Sequence, residues 1–385
     1  MTEPIRLSTV MGAVLASYAE NHPLNPRQWQ VCHHVLSCRT EALGESQWQC
    51  EHCGHEARFY HACRDRHCPR CQRQASERWR DRQLSQTLEV AYHHVVFTVP
   101  EALNAWAELH PEVLYDQILK STWETLKTFA ADPKRLDGQL GATLVLHTWG
   151  QTLVRHLHVH CLVPGGALGA DGAWHPARST YLFPVRALSR YFRGHLVASL
   201  RRRFEAGELH RLANAGELKR LLDALMAQEW VVYSKACLGH SDTVVSYLAR
   251  YSHRTALSDS RLVDFQDGQV RLRYRDYRDG DRQKILSLSS EELLRRFLLH
   301  VLPKGLMRIR HYGFLANRCR EAKLATIREA IGQAEADTVE SSEPARSVIR
   351  CPHCRVGRLR IVLIAMPEGG SLRSQTLPRY PDRRH

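Results

Sequence analysis

The sequence predicts an α+β fold, an antiparallel sheet covered by helices and preceded by a small cysteine-rich module. Three observations predict it. Strand-like and helix-like runs mix without regular alternation. The run His156 to His160 (H-L-H-V-H) alternates imidazole with aliphatic residues at strand period. Seven of the twelve cysteines lie between Cys32 and Cys71.

Along the chain, Asn25 and Pro26 suit the N-cap and first position of a helix through about Leu36, before the cysteine-rich loops. A charged helix from about Gln72 to Glu89 leads to a first core strand, Tyr92 to Val99. Helices are expected at Pro111–Ala130 and Val185–Phe204, with a short one at Glu217–Gln228. A β-like run starting near Ala142 ends in the histidines and is broken by Pro164-Gly165-Gly166. Strand signals return at Trp230–Ser234 and Arg261–Ser289, where Asp267-Gly268 and Asp279-Gly280 mark hairpin turns. In that meander Tyr274 or Tyr277 can stack on bases of a single strand or simply pack in a sheet. Ser290-Glu291-Glu292 opens a helix, and another from about Leu315 precedes a polar linker near Ala336–Arg346. The tail from Pro367 is polar and basic, the composition of a disordered end.

Residues i, i+2 and i+4 of a strand share a face, so His156, His158 and His160 form a row of imidazoles. Two of them can jointly hold a divalent metal, or all can be hydrogen-bonded on a half-exposed sheet. Downstream, Ser241 or Asp242 can cap a helix that places Tyr247 and Tyr251 at i and i+4 on one face. A metal-binding histidine strand with a tyrosine helix supplies the parts for breaking a phosphodiester by transesterification. A phenol of pKa about 10 is a weak nucleophile at neutral pH, and a cation polarising the phosphate compensates. The product is a 5′-phosphotyrosine with a free 3′-hydroxyl, and two tyrosines allow two successive strand transfers.

The cysteines make a separate argument. Cys50-x-x-Cys53 and Cys68-x-x-Cys71, fourteen residues apart, can each turn two thiolates onto zinc and together complete one four-cysteine site. Cys38, Cys63, His55, His61 and His67 remain for a second site. Cys351-Pro352-His353-Cys354 is half a site that either borrows a ligand such as Cys319 or holds no metal. Residues 1–10 lack a basic region followed by an apolar stretch, and no apolar run reaches the length of a membrane span. Metal in a reducing, cytoplasmic interior is therefore expected over disulfides.

Fifty-four Lys plus Arg against forty Asp plus Glu give a net charge of +14, which favours a polyanion partner, while the lack of an apolar span leads to the expectation of no membrane. Arg186, Arg190, Arg193, Arg201, Arg202 and Arg203 share one expected helix without an acid between them, and phosphate contact is assigned to them against the alternative of a solvated helix face.

The run Leu146-His147-Thr148-Trp149-Gly150-Gln151 through His156–His160 to Pro164-Gly165-Gly166, with Tyr247-Leu248-Ala249-Arg250-Tyr251, resembles the two-tyrosine HUH transposases of the insertion-sequence-91 family. Tyr92 to Pro100 and Arg310-His311-Tyr312-Gly313 are similar too. The block from Cys38 through Cys68-Pro69-Arg70-Cys71-Gln72 resembles that family's zinc-binding domain. The likeness runs in order over roughly residues 25 to 320.

The resemblance implies a zinc-binding DNA-recognition domain (1–90), an HUH catalytic domain (91–320) and an extension carrying the last cysteines and the tail (321–385). It makes His158 and His160 the metal pair, with His147 as third ligand and His156 as the alternative, holding Mg²⁺ or Mn²⁺. Structural Zn²⁺ is the second cofactor. Tyr247 and Tyr251 become the nucleophiles, and Arg254 either contacts the scissile phosphate or lies on a helix surface. The implied partner is single-stranded DNA at transposon ends and targets, in a bacterial cytoplasm at the nucleoid. Two alternatives are a plasmid replication initiator or relaxase with the same chemistry, and a non-catalytic zinc-dependent DNA-binding protein.

Overall fold

Local sequence accounts for much of the chain path in the computed structural model, which describes residues 4–84, 86–177, 181–209, 215–237, 256–277, 279–333 and 349–366. Helix α1 spans Leu7–Asn21 and α2 spans Pro26–Ser37. Asn25 caps α2 with a full capping box: its side chain accepts from the Gln28 N–H at 2.9 Å and its own N–H donates to Gln28 Oε1 at 3.0 Å. The cysteine-rich stretch is not all loop, because strands β1 (Glu45–Cys50) and β2 (Glu56–Tyr60) pair there as an antiparallel hairpin. Helix α3 follows at Pro69–Leu84.

Strand β3 is Tyr92–Thr98, and helices α4 (Asn104–Leu109) and α5 (Pro111–Ala131) come next. Then come β4 (Gly141–Trp149), β5 (Arg155–Pro164), and the short pair β6 (Gly166–Leu168) and β7 (Trp174–Pro176). Helices α6 (Val185–Glu205) and α7 (Ala215–Ala227) precede β8 (Val232–Cys237). The meander is β9 (Leu262–Gln266), β10 (Gln269–Asp276) and β11 (Arg282–Ser289). A helix at Ser290–Leu298, strand β12 (Ile309–Gly313), a helix at Arg320–Ile331 and strand β13 (Leu359–Ala365) complete the order.

Two compact units result, and they do not follow the linear partition 1–90, 91–320 and 321–385. One contains described residues 4–72, 257–295 and 349–366; the other contains 73–256 and 296–333, as far as they are described. In the first unit β13 pairs antiparallel with the outer edge of β1, giving the order β13-β1-β2, and β9 to β11 form a separate sheet. Asp267 and Gly268 both take positive φ, 49° and 72°, the geometry of the two-residue turn that joins β9 to β10.

The second unit is built on a five-stranded antiparallel sheet of order β12-β4-β5-β3-β8. One face presents Leu144, Leu146, Leu157, Val159, Val95 and Phe97, all buried, in one core with α5 and α6. Phe192 of α6 meets Phe97 edge-on at 5.0 Å between centroids. Each such side chain taken fully out of water contributes roughly 1.5–3 kcal/mol, so this face holds the sheet to its helices. On the other face Trp79 of α3 packs with Tyr92 and Leu162.

Candidate active site

The run from Ala142 to His160, expected as one strand, is two. The chain reverses after Trp149, where the Leu153 N–H donates to Gly150 O at 3.1 Å and Leu153 takes φ 62°. The reversal lays β4 antiparallel to β5 and sets His147 directly opposite His158, with Val145 opposite His160. Opposed residues share a face. The donor atoms of His147, His158 and His160 consequently lie within 4.8 Å of one another, on the face opposite α5 and α6. A separation of eleven residues in sequence becomes one step across a ladder.

Each imidazole is oriented by a neighbour. Trp149 stacks on His147 at 4.5 Å between centroids, and the Arg308 guanidinium lies 5.9 Å from the Trp149 ring. Nδ1 of His158 lies 2.9 Å from the carbonyl oxygen of His156; donation there directs Nε2 to the cluster. Nδ1 of His160 lies 2.8 Å from Nε2 of His94, a buried residue of β3. Loss of solvent pushes the pKa of His94 down to about 4, and loss of solvent with the nearby His156 does the same to His158. Both rings are therefore neutral near pH 7, the form that ligates a metal. Three imidazole ligands fit Mn²⁺ better than Mg²⁺, which prefers oxygen.

His94 is the site residue that sequence reasoning did not single out. Strand alternation puts it on one face with Val96 and Thr98, but only the β3–β5 register, with Val96 opposite His160 and His94 opposite Leu162, brings it to the cluster. Lys235 of β8 stands opposite His94 and is exposed, adding a cation to the same face. His156, the alternative third ligand, is exposed with its ring tilted 41° to that of His158, and does not join the three. Tyr247, Tyr251 and Arg254 lie outside the described residues; Cys237 of β8 is the last described residue before them, ten positions before Tyr247.

The arginine helix is not brought to the histidines. Leu188, Phe192, Leu196 and Leu200 of α6 pack on the opposite, apolar face of the sheet. Arg186, Arg190, Arg201 and Arg202 are exposed there. Arg202 also donates to Ser199 Oγ at 3.1 Å within the helix, and the other two are tied to other segments: Arg193 donates to Gln228 O at 2.5 Å, and Arg203 pairs with Glu208 and Asp116 and donates to Gln117 at 3.3 Å. The acids absent from the helix are supplied by neighbouring segments.

The two amino-terminal cysteine pairs do not share a site. Cys68 and Cys71 join Cys38 and Cys63, while Cys50 and Cys53 join Cys351 and Cys354 from the other end of the chain. In the first group Cys38 and Cys63 sulfurs stand 3.5 and 3.6 Å from that of Cys71. The spacing that fits one site fits this partner exchange equally well, since a Cys-x-x-Cys pair fixes only half of a tetrahedron. His61 and His67 are occupied elsewhere: His61 with Ser46 Oγ at 2.9 Å and Leu43 O at 3.1 Å, His67 with Asp65 at 2.8 Å. Cys319 is not a ligand of the last pair; its thiol contacts the Gly313 and Ala316 carbonyls.

Comparison with known proteins gives the family. A family model described as "Putative transposase" matches residues 141–323, and one described as "Transposase zinc-binding domain" matches residues 10–99. The chain is 42% identical over 359 residues to "Putative transposase y4qJ" of Sinorhizobium fredii (strain NBRC 101917 / NGR234), covering 89% of this chain and 90% of the relative. The chain belongs to the insertion-sequence-91 family of transposases. The transposase is also 29% identical over 314 residues to the "Transposase for insertion sequence element IS801" of Pseudomonas savastanoi pv. phaseolicola, covering 78% and 73% of the two chains. The zinc-binding match takes in both amino-terminal cysteine pairs of the transposase, with Cys38, Cys63 and His94; the transposase match takes in the histidine hairpin and both tyrosines. Its Cys351 and Cys354 fall outside both. Among the described residues of the transposase no helix is long and apolar enough to cross a membrane.

Proposed function

We propose that this transposase nicks and rejoins single-stranded DNA through a 5′-phosphotyrosine intermediate, in rolling-circle transposition. The observation that carries the reading is the convergence of His147, His158 and His160 on the sheet face opposite α5 and α6, in a chain that also bears Tyr247 and Tyr251. The three imidazoles would hold Mn²⁺ or Mg²⁺, which when bound polarises the scissile phosphate and offsets charge built up in the transition state. His94 and the His156 carbonyl hold two of those rings in the ligating orientation. A tyrosine oxygen attacks phosphorus and loses its proton; the bond to the 3′-oxygen breaks, and that oxygen leaves as a 3′-hydroxyl. The second tyrosine repeats the attack on a second strand, and each 3′-hydroxyl reverses the step to rejoin DNA.

The zinc-bearing unit would recognise transposon-end DNA, with the net positive charge of the chain drawing the polyanion. The test is a denaturing gel of labelled single-stranded end oligonucleotides with wild type, Tyr247→Phe, Tyr251→Phe and the double variant. A protein–DNA adduct that needs Mn²⁺ or Mg²⁺ and vanishes in the double variant is the expected result. An undiminished adduct in the double variant overturns the tyrosine assignment, and binding of the ends without any adduct favours a DNA-binding protein.

A further inference from the structure

Two turns of the same geometry, made three hundred residues apart in sequence, face each other in the amino-terminal unit. The first is Cys50-Glu51-His52-Cys53-Gly54, the second Cys351-Pro352-His353-Cys354-Arg355. In each, the fifth residue donates its N–H to the carbonyl of the first, at 3.0 Å for Gly54 and 2.9 Å for Arg355. In each, that fifth residue is left-handed, at φ 68° for Gly54 and 59° for Arg355. Backbone N–H groups point at sulfur in both: His52 to Cys50 Sγ at 3.4 Å, Gly357 to Cys354 Sγ at 3.3 Å. The Glu51 N–H donates to Arg358 O at 3.0 Å and ties the turns together.

The sulfur spacing fits a tetrahedral metal and not a disulfide. Cys50 and Cys354 sulfurs are 3.7 Å apart, Cys53 and Cys351 sulfurs also 3.7 Å, and all four fall within 4.8 Å. A tetrahedron with Zn–S bonds of about 2.3 Å has an S–S edge of about 3.8 Å, whereas a disulfide requires about 2.05 Å. The second turn closes on Cys50 as well: a Cβ on Gly357 would lie 2.5 Å from Cys50 Sγ and 2.5 Å from His52 Cβ, so only glycine fits there.

We propose that Cys50, Cys53, Cys351 and Cys354 bind one structural Zn²⁺, in a site assembled from the two ends of the chain and distinct from the zinc site of Cys38, Cys63, Cys68 and Cys71. The amino-terminal zinc module is then incomplete on its own. Its second metal is held half by residues that follow the catalytic region, and occupancy fastens β13 to β1, whose pairing begins at Leu359 opposite Cys50. This inference does not depend on the cleavage chemistry.

Metal content of the purified full chain tests it, by elemental mass spectrometry of zinc and iron. Wild type is expected to carry two zinc ions, one for each four-cysteine group. Cys351→Ser/Cys354→Ser, Cys50→Ser/Cys53→Ser and the variant combining all four changes are each expected to carry one, while Cys319→Ser keeps both. One zinc in wild type, two in the Cys351→Ser/Cys354→Ser variant, or iron in place of the second zinc overturns the assignment. A second measurement needs no variant. Cys53 is exposed, so its alkylation in native wild type should be slow until a chelator is added; equally fast labelling without chelator, or a recovered Cys50–Cys354 or Cys53–Cys351 disulfide, also overturns it.

Discussion

Nε2 of His94 lies 2.8 Å from Nδ1 of His160, and the two rings are nearly parallel, 9° apart with centroids 5.1 Å from each other. One nitrogen must donate to the other. A His160 that ligates through Nε2 carries its proton on Nδ1, so His94 accepts and fixes the tautomer. Replacing His94 by Ala is expected to weaken Mn²⁺ binding about 10- to 100-fold, with partial rescue by His94→Gln, whose amide oxygen can accept the same proton. Calorimetric titration with Mn²⁺ checks this, and unchanged affinity in His94→Ala would remove His94 from the site.

The exposed arginines of α6 sit on the sheet face opposite the histidines, so the DNA contact proposed for them can be tested apart from the proposed cleavage. Arg186→Ala/Arg190→Ala/Arg201→Ala/Arg202→Ala is expected to lower single-strand affinity and to reduce the salt slope by about 0.7 for each phosphate no longer neutralised. Single-turnover cleavage at saturating DNA should stay near wild type. A salt slope identical to wild type would show that this helix face does not touch the strand.

Gly313 ends β12 at φ 62°, and a Cβ there would fall 1.7 Å from the carbonyl oxygen of Leu140. Backbone cannot retreat as a side-chain tip can. Gly313→Ala is expected to destabilise the catalytic unit by on the order of 3–5 kcal/mol, with a fall of roughly 10 °C in melting temperature. Thermal denaturation measures it; a loss of under about 1 kcal/mol would contradict the packing described.

His311 of β12 meets Thr143 Oγ at 3.0 Å, and burial followed by the nearby Arg320 pushes its pKa down to about 4. An unfolded histidine titrates near 6.5, so between about 6.5 and 4 the unfolded chain takes up a proton that the folded one refuses. The stabilisation is complete above about pH 6.5 and drains away as pH falls towards 4, by at most about 3 kcal/mol. Denaturant titrations at several pH values should show a shallower acid loss in His311→Gln than in wild type. Parallel profiles would mean that His311 is not the group responsible.

Period and capping made the helices legible. Asn25-Pro26, Pro111 and the run from Val185 begin helices within a residue of where they were expected, because those signals are local. Helix α1 and strands β1, β2 and β13 were not anticipated. The last of these, Leu-Arg-Ile-Val-Leu-Ile-Ala, is strand-like in composition, but nothing local tells that its partner is Glu45–Cys50. The same limit explains the site. His158 and His160 could be read from alternation, and His147 from likeness to relatives, whereas His94 and the exchange of cysteine partners depend on register and long-range pairing. Spacing constrains neighbours in sequence; it says little about which half-site meets which.

The pairing of β1 with β13 also sets a timetable. Cys354 is made 304 residues after Cys50, so at ~5–20 residues per second the ribosome delivers it roughly 15–60 s later. For that interval the edge of β1 and the thiols of Cys50 and Cys53 stand open in the nascent chain, and a premature stop before Cys351 would leave them so permanently. Completion of the amino-terminal unit is thus a report that the catalytic region of the transposase has been synthesised.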